Sequence, residues 1–179
     1  MLKRTLLMLC CAASAHAAPS TNAADDIERY MAERGLVAQM GQVRQTLGNS
    51  ASELVGAAMN FLGVPYRRGG TSESTGFDCS GFVRAVYEQT VGKVLPRSAN
   101  EQAAATEKID KQDLQPGDLV FFNTMRKTFS HVGIYVGDNK FIHSPRSGQR
   151  VRIEDMRDSY WQRRFTGARR VPQTNGENS

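Results

Sequence analysis

Cysteine and histidine are scarce in this chain: 179 residues carry three of each. Long hydrophobic runs are missing too. The most apolar stretch, Leu6 to Ala13, is too short to span a bilayer. It follows Lys3 and Arg4 and precedes Ala15-His16-Ala17, the charged, apolar and small-residue order of a secretory signal cleaved after Ala17; a buried N-terminal helix is the alternative. Lipidation signals place a small residue before the modified cysteine, whereas Cys10 follows Leu9 and Cys11 follows Cys10, so no lipid anchor is expected. The chain is expected in the periplasm or cell envelope, with no transmembrane segment once the signal is gone.

Removing residues 1–17 leaves one cysteine, Cys79, and two histidines, His131 and His143, which excludes an intramolecular disulfide. A lone cysteine in an oxidising compartment is a liability, so this thiol is either used or well buried. The formal charge of +5 falls to about +3 without Lys3 and Arg4, a modest excess suited to an anionic envelope surface. A basic stripe interleaved with aromatics, the footprint of a nucleic-acid binder, is absent, as are internal repeats and low-complexity tracts.

The length suits one domain with short extensions. Apolar residues recur at helical spacing from Asp25 to about Leu47, interrupted at Gly35, and predict a helical extension over 18–48. A second helix is predicted from a cap at Ser50 or Ser52 through Leu54, Val55, Ala58, Met59 and Leu62 until Gly63 and Pro65 stop it. A glycine-rich loop then leads to Asp78, and Phe82, Val83, Val86 and Tyr87 mark a helix running to Gly92, with Cys79 in its first turn. One more helix is expected around Asn100 to Thr106. From Pro116-Gly117-Asp118 onward the pattern is strand-like: Leu119 to Phe122, His131 to Val136, Lys140 to Ser144, Val151 to Ile153 and Ala168 to Val171. Helices followed by short antiparallel strands predict an α+β domain over 49–172, with a polar tail at 173–179 expected to be disordered.

A thiol is a nucleophile as its thiolate, and a helix N-terminus and a nearby imidazolium are the usual means of lowering its pKa. Cys79 has the first of these, with Asp78 as capping residue and Gly81 allowing close backbone approach. Along His131 to Val136, Val132, Ile134 and Val136 share one face, leaving His131 on the other. A three-residue hairpin loop at Gly137-Asp138-Asn139 sets Val136 opposite Lys140 and Gly133 opposite His143. That register puts both histidines on one face, whereas a two-residue loop reverses the parity. Taken singly, such a cysteine is more commonly a packed apolar residue and such a histidine more commonly structural. Both histidines sharing a face favours a nucleophile, a base and an orienting third residue.

The segments Pro65-Tyr66-Arg67-Arg68-Gly69-Gly70, Phe77-Asp78-Cys79-Ser80-Gly81-Phe82-Val83, Leu95-Pro96-Arg97-Ser98, Gly117-Asp118-Leu119-Val120, Ser130 through Gly137, and Phe141-Ile142-His143 resemble, in order, successive motifs of the NlpC-type cell-wall peptidases. The resemblance runs from about Ser50 to Val171. It implies a papain-like α+β fold, with N-terminal helices packed on a C-terminal antiparallel sheet. It implies a cysteine endopeptidase acting on murein stem peptides or their cross-links, without a cofactor. Cys79 would be nucleophile, His131 general base and His143 the orienting residue; Tyr66 would lie near the oxyanion or substrate carbonyl. Asp78 and Ser80 match positions that contribute to stem-peptide binding, and Arg97 and Ser98 match a family loop of unassigned role. Many members carry an aromatic residue where this chain has Arg68, a departure that bears on the substrate groove. Peptidoglycan stem peptides are the implied partner, with room for an adaptor protein.

Two rivals stand beside this reading. Cys79, His131 and His143 could ligate zinc, although no local pair such as H-E-x-x-H or C-x-x-C accompanies them. The fold could also serve as a catalytically inert wall-binding module.

Overall fold

The computed structural model describes residues 36–124 and 128–172; the expected signal segment, the helix start at Asp25 and the tail at 173–179 lie outside them. The described residues from 43 onward belong to one compact unit. Among the described residues no helix is long and apolar enough to cross a membrane.

One helix, α1 (Leu36–Asn60), stands where the sequence predicts two. The helix runs straight through Gly48, Asn49 and Ser50: each weakens a helix by under about 1 kcal/mol relative to alanine, too little to end one when the flanking turns propagate. It stops before Gly63, whose φ of 85° only glycine adopts readily. A small hairpin, β1 (Thr71–Ser72) with β2 (Gly76–Phe77), delivers the chain to α2 (Cys79–Val91), which ends on Gly92 at φ 67°. Then come α3 (Ala99–Ala104), β3 (Glu107–Ile109), β4 (Leu119–Phe122), β5 (His131–Gly137), β6 (Lys140–His143), β7 (Arg152–Asp155), α4 (Ser159–Gln162) and β8 (Phe165–Arg170). Strands β3 to β8 form one antiparallel sheet in the order β3-β8-β4-β5-β6-β7. This is the α+β arrangement that the helices-then-strands pattern predicts. Strand β3 and helix α4, which carry weak local signals, were not among the expected elements.

Alternation along the strands sorts side chains onto two buried faces. Leu119, Phe121, Val132, Ile134 and Ile142 join Leu54, Ala58, Phe61, Phe82, Val83 and Val86 in the main core. Val120, Phe122 and Phe141 form a second, largely aromatic cluster with Met156 and Trp161. The face that carries His131 is therefore covered rather than open.

Close approach near the start of α2 depends on two glycines. The Asp78 N–H donates to Gly70 O at 3.1 Å, and a Cβ at Gly81 would fall 2.1 Å from that same oxygen. Gly81→Ala is expected to cost roughly 1–3 kcal/mol through forced displacement of the loop. Gly56 has nothing within 4 Å of a Cβ, so Gly56→Ala is expected to stabilise the chain by about 0.5–1 kcal/mol. Urea unfolding of the two variants checks both signs.

Candidate active site

The first turn of α2 is organised by Asp78. Its Oδ1 accepts from Gly81 N at 2.7 Å and its Oδ2 from Gly69 N at 3.0 Å, capping the helix and fastening the preceding loop. Arg97 grips the same carboxylate with two nitrogens, at 3.0 and 2.5 Å, and also donates to Ser80 Oγ at 3.0 Å. Gln102, fully buried, donates to the carbonyls of Ser80 at 3.0 Å and Pro96 at 2.9 Å, which ties the Arg97 loop to α2. Ser98 caps α3 in a capping box with Glu101. Arg97 is thus a partner of Asp78 and Ser80, and Ser98 a helix cap, roles that motif order did not reveal.

Cys79, half-buried and free of disulfide, opens onto a groove of about 860 Å³. Tyr66, Asp78, Ser80 and His131 line it with Cys79, as do Arg68, Arg146, Arg152 and Glu154. Five of the six sequence-predicted site residues therefore share one groove; the sixth, His143, lies behind His131.

The histidines meet nitrogen to nitrogen, His131 Nε2 and His143 Nδ1 being 2.6 Å apart. The hairpin that aligns them differs from the expected one. Asp138 and Asn139, at φ 50° and 58°, form a two-residue turn closed by Gly137 opposite Lys140, where Val136 was expected. Such a turn alone reverses the parity, but the register shifts between Tyr135 and Gly137. This bulge restores it: Ile134 pairs with Ile142 and Tyr135 with Phe141, which sets Gly133 across from His143 as predicted. Gly133 is required there, since a Cβ would lie 2.7 Å from the Phe141 ring and 3.2 Å from His143 Cβ.

Both imidazoles are almost fully enclosed, His131 at 3 % and His143 at 0 % exposure. Trp161 stacks on His131 at 5.8 Å with 24° between planes and meets His143 edge-on at 5.2 Å. Its Nε1 donates to Glu154 Oε2, which lies 3.7 Å from His143 Nε2. Arg152 Nε donates to Glu154 Oε1 at 2.5 Å. The sequence marks neither Trp161 nor Glu154 as a site residue: Val151 to Ile153 signals only a strand, and α4 carries only a weak local signal. A charged residue flanked by Ile153 and Asp155 offers no distinctive periodicity.

Electrostatics favour neutral groups in the groove. Burial pushes the Cys79 thiol up to about 11, Asp78's charge adds to this, and backbone hydrogen bonds from Val132, Ser80 and Cys79 itself oppose it. The helix start therefore moderates the cost of a thiolate without making it the resting form. Tyr66 is also raised, by burial and then by Cys79 and Asp78. Burial holds His131 well below its ordinary range, with His143 adding to the effect, and burial likewise lowers His143. Burial works to raise the Glu154 carboxyl, but His143 and Arg152 outweigh it and bring it to about 2. Among the described residues no group of three or more His, Cys, Asp or Glu side chains is arranged to hold a metal ion. His131 Nε2 and His143 Nδ1 are committed to each other.

Residues 63–170 match the model of the NlpC/P60 family. The chain is 40% identical over 173 residues to the murein DD-endopeptidase MepH of Escherichia coli, covering 88% of this chain and 64% of that protein. It is 46% identical over 118 residues to the gamma-DL-glutamyl hydrolase of Bacillus subtilis, covering 65% of this chain and 28% of that protein. This chain therefore spans less than two thirds of either relative. A crystal structure of an NlpC/P60 family protein from Bacillus cereus superposes with a TM-score of 0.63 at 38% identity, over 68% of this chain and 40% of that one.

A histidine neutral in the fold and free to protonate when unfolded makes stability fall as pH drops below the unfolded pKa of about 6.5. Glu154 acts lower, its contribution being present above about 4.5 and lost towards 2. The urea midpoint of the chain is expected to decline from pH 7 to 5, and to decline less in His131→Gln. Parallel declines in the two proteins would contradict the buried neutral pair.

Proposed function

The chain belongs to the NlpC/P60 family, and from that membership we propose that it is an exported cysteine endopeptidase cleaving peptide bonds in murein, the D,D cross-link between stem peptides foremost. The observation that carries this reading is Cys79 at the capped N-terminus of α2, in one groove with the His131 end of a buried histidine pair. The D,D choice follows the relative that matches 88% of the chain, named a murein DD-endopeptidase. The bond between D-γ-glutamyl and meso-diaminopimelate is the second reading, favoured by the likeness to a gamma-DL-glutamyl hydrolase.

In the proposed reaction His131, whose Nε2 is occupied by His143, receives the thiol proton on Nδ1 as Cys79 Sγ bonds to the scissile carbonyl carbon. Keeping the thiol protonated until attack suits a groove that raises the thiol and lowers the imidazole. Backbone N–H groups at the start of α2 and the Tyr66 hydroxyl receive the oxyanion. The C–N bond then breaks, His131 protonates the leaving amine, and a thioester remains. Water, deprotonated by His131, adds to the thioester carbonyl, and the C–S bond breaks to release the acid and the thiol.

Asp78 and Ser80, braced by Arg97, lie beside the thiol and are proposed to contact the stem peptide. Arg68 and Arg146, exposed on the groove, offer charge to its carboxylates. Zinc ligation by Cys79, His131 and His143 is disfavoured because the facing histidine nitrogens engage each other. An inert wall-binding module remains the contrasting outcome of the test. Export rests on the Lys3-to-Ala17 signal pattern.

Whole murein sacculi are incubated with the chain and with Cys79→Ala, and the released peptides are weighed by mass spectrometry. Release is expected from the unmodified chain, falling on the order of a thousandfold or more in the variant. Product masses identify the bond. Undiminished release by Cys79→Ala would overturn the proposal, whereas sedimentation of both proteins with sacculi and no release favours the binding module. A strong chelator is expected to leave activity unchanged and a thiol alkylator to abolish it.

A further inference from the structure

The histidine pair poses a proton problem that its two members cannot solve alone. At 2.6 Å between His131 Nε2 and His143 Nδ1, one proton lies between the rings. If it belongs to His143 Nδ1, neutral His131 carries its own proton on Nδ1 and cannot accept one from Cys79. If it belongs to His131 Nε2, Nδ1 of His131 is free to act as base, and neutral His143 must then carry its proton on Nε2. Whatever lies next to His143 Nε2 therefore decides whether His131 can work.

That nitrogen is fully buried and has no hydrogen-bond partner among the described residues, an arrangement that proteins rarely leave unanswered. Glu154 Oε2 stands 3.7 Å from it, so closing by roughly half an ångström makes a hydrogen bond. The carboxylate is already aimed, with Arg152 Nε on Oε1 at 2.5 Å and the Trp161 indole on Oε2. Trp161 also packs on both imidazoles, stacked on one and edge-on to the other, so ring and carboxylate position are coupled. Phe141, at 4.8 Å from the His143 ring, adds no charge.

We propose that Glu154 is a positioning residue, one that holds His143 in its Nε2–H tautomer and so keeps His131 Nδ1 free for the Cys79 proton. The proposal rests on the peptidase reading for its catalytic meaning, though not for the tautomer itself. Glu154 carries its negative charge at neutral pH, since its carboxyl sits at about 2, and Arg152 offsets part of the field that reaches His143. The same charge stabilises the imidazolium that forms on His131 when it takes the thiol proton, an effect in the direction that Glu154 exerts on His131. A neutral side chain at 154 removes both.

The test is nitrogen-15 NMR of the full chain, in which side-chain shifts separate protonated from bare ring nitrogens and His143→Gln assigns the signals. His143 in the unmodified chain is expected to be protonated on Nε2 and bare on Nδ1. Glu154→Leu is expected to lose that preference and to lower kcat on the order of tenfold or more with KM little changed, since an orienting carboxylate acts through tautomer rather than binding. Glu154→Asp is expected to restore much of both. Protonation of His143 on Nδ1 in the unmodified chain would overturn the inference even if Glu154→Leu fails to fold, as would a Glu154→Leu protein with unchanged tautomer and rate. The peptidase reading falls separately: an active Cys79→Ala protein sinks that reading and leaves the tautomer result standing.

Discussion

The contact on which the site depends is that between two imidazole nitrogens, 2.6 Å apart and sealed from water. Such a contact needs two strands in a fixed register, a face on which both rings project, and a cover that excludes solvent. The β5–β6 hairpin supplies the register and the face, by a two-residue turn whose parity a bulge corrects. Trp161 and the phenylalanines of the second cluster supply the cover. Because both rings are buried, each charge on them is costly and each proton has a definite place. Groups that would be bystanders on a wet surface, Glu154 and Arg152, acquire leverage there.

The second demand is on α2. Its first turn must present a thiol while its orphan N–H groups remain available, and Asp78 takes only one of them, that of Gly81. Fixing Asp78 with Arg97, the Gly69 N–H and the backbone link to Gly70 gives a rigid helix start on a loop that would otherwise be free to move. The same carboxylate raises the thiol pKa, so rigidity is gained against ease of ionisation. A neutral thiol beside a neutral imidazole follows, and the proposed mechanism then needs a base whose accepting nitrogen is bare.

Much of this was legible in the sequence because it rests on local pattern. Asp78 before an amphipathic run marked the helix that carries Cys79, and Gly81 marked the close approach. Alternation in His131 to Val136 and Lys140 to His143 placed both histidines on one face, with Gly133 across from His143. What escaped was fixed by tertiary context. The expected three-residue turn is one residue longer than the observed one and lacks the bulge, two differences that cancel in the parity. The sequence predicts a helix boundary between Leu47 and a cap at Ser50 or Ser52, but the weak helix preference of the intervening residues yields to continuous flanking turns. Trp161 and Glu154 reach the site from segments far along the chain whose own periodicity is short. Arg97 and Ser98, quoted within one motif, proved to act on different helices.

The central claim, that Cys79 becomes covalently acylated with the aid of this histidine pair, is tested most directly by intact-mass spectrometry of the chain quenched in acid during turnover of a purified cross-linked muropeptide. The account predicts an added mass equal to the acyl portion of the substrate, mapping to the peptide that contains Cys79 and released by hydroxylamine as a thioester is. Turnover that proceeds under the same conditions with no adduct when hydrolysis of the thioester is slowed, or an adduct on another residue, would contradict it.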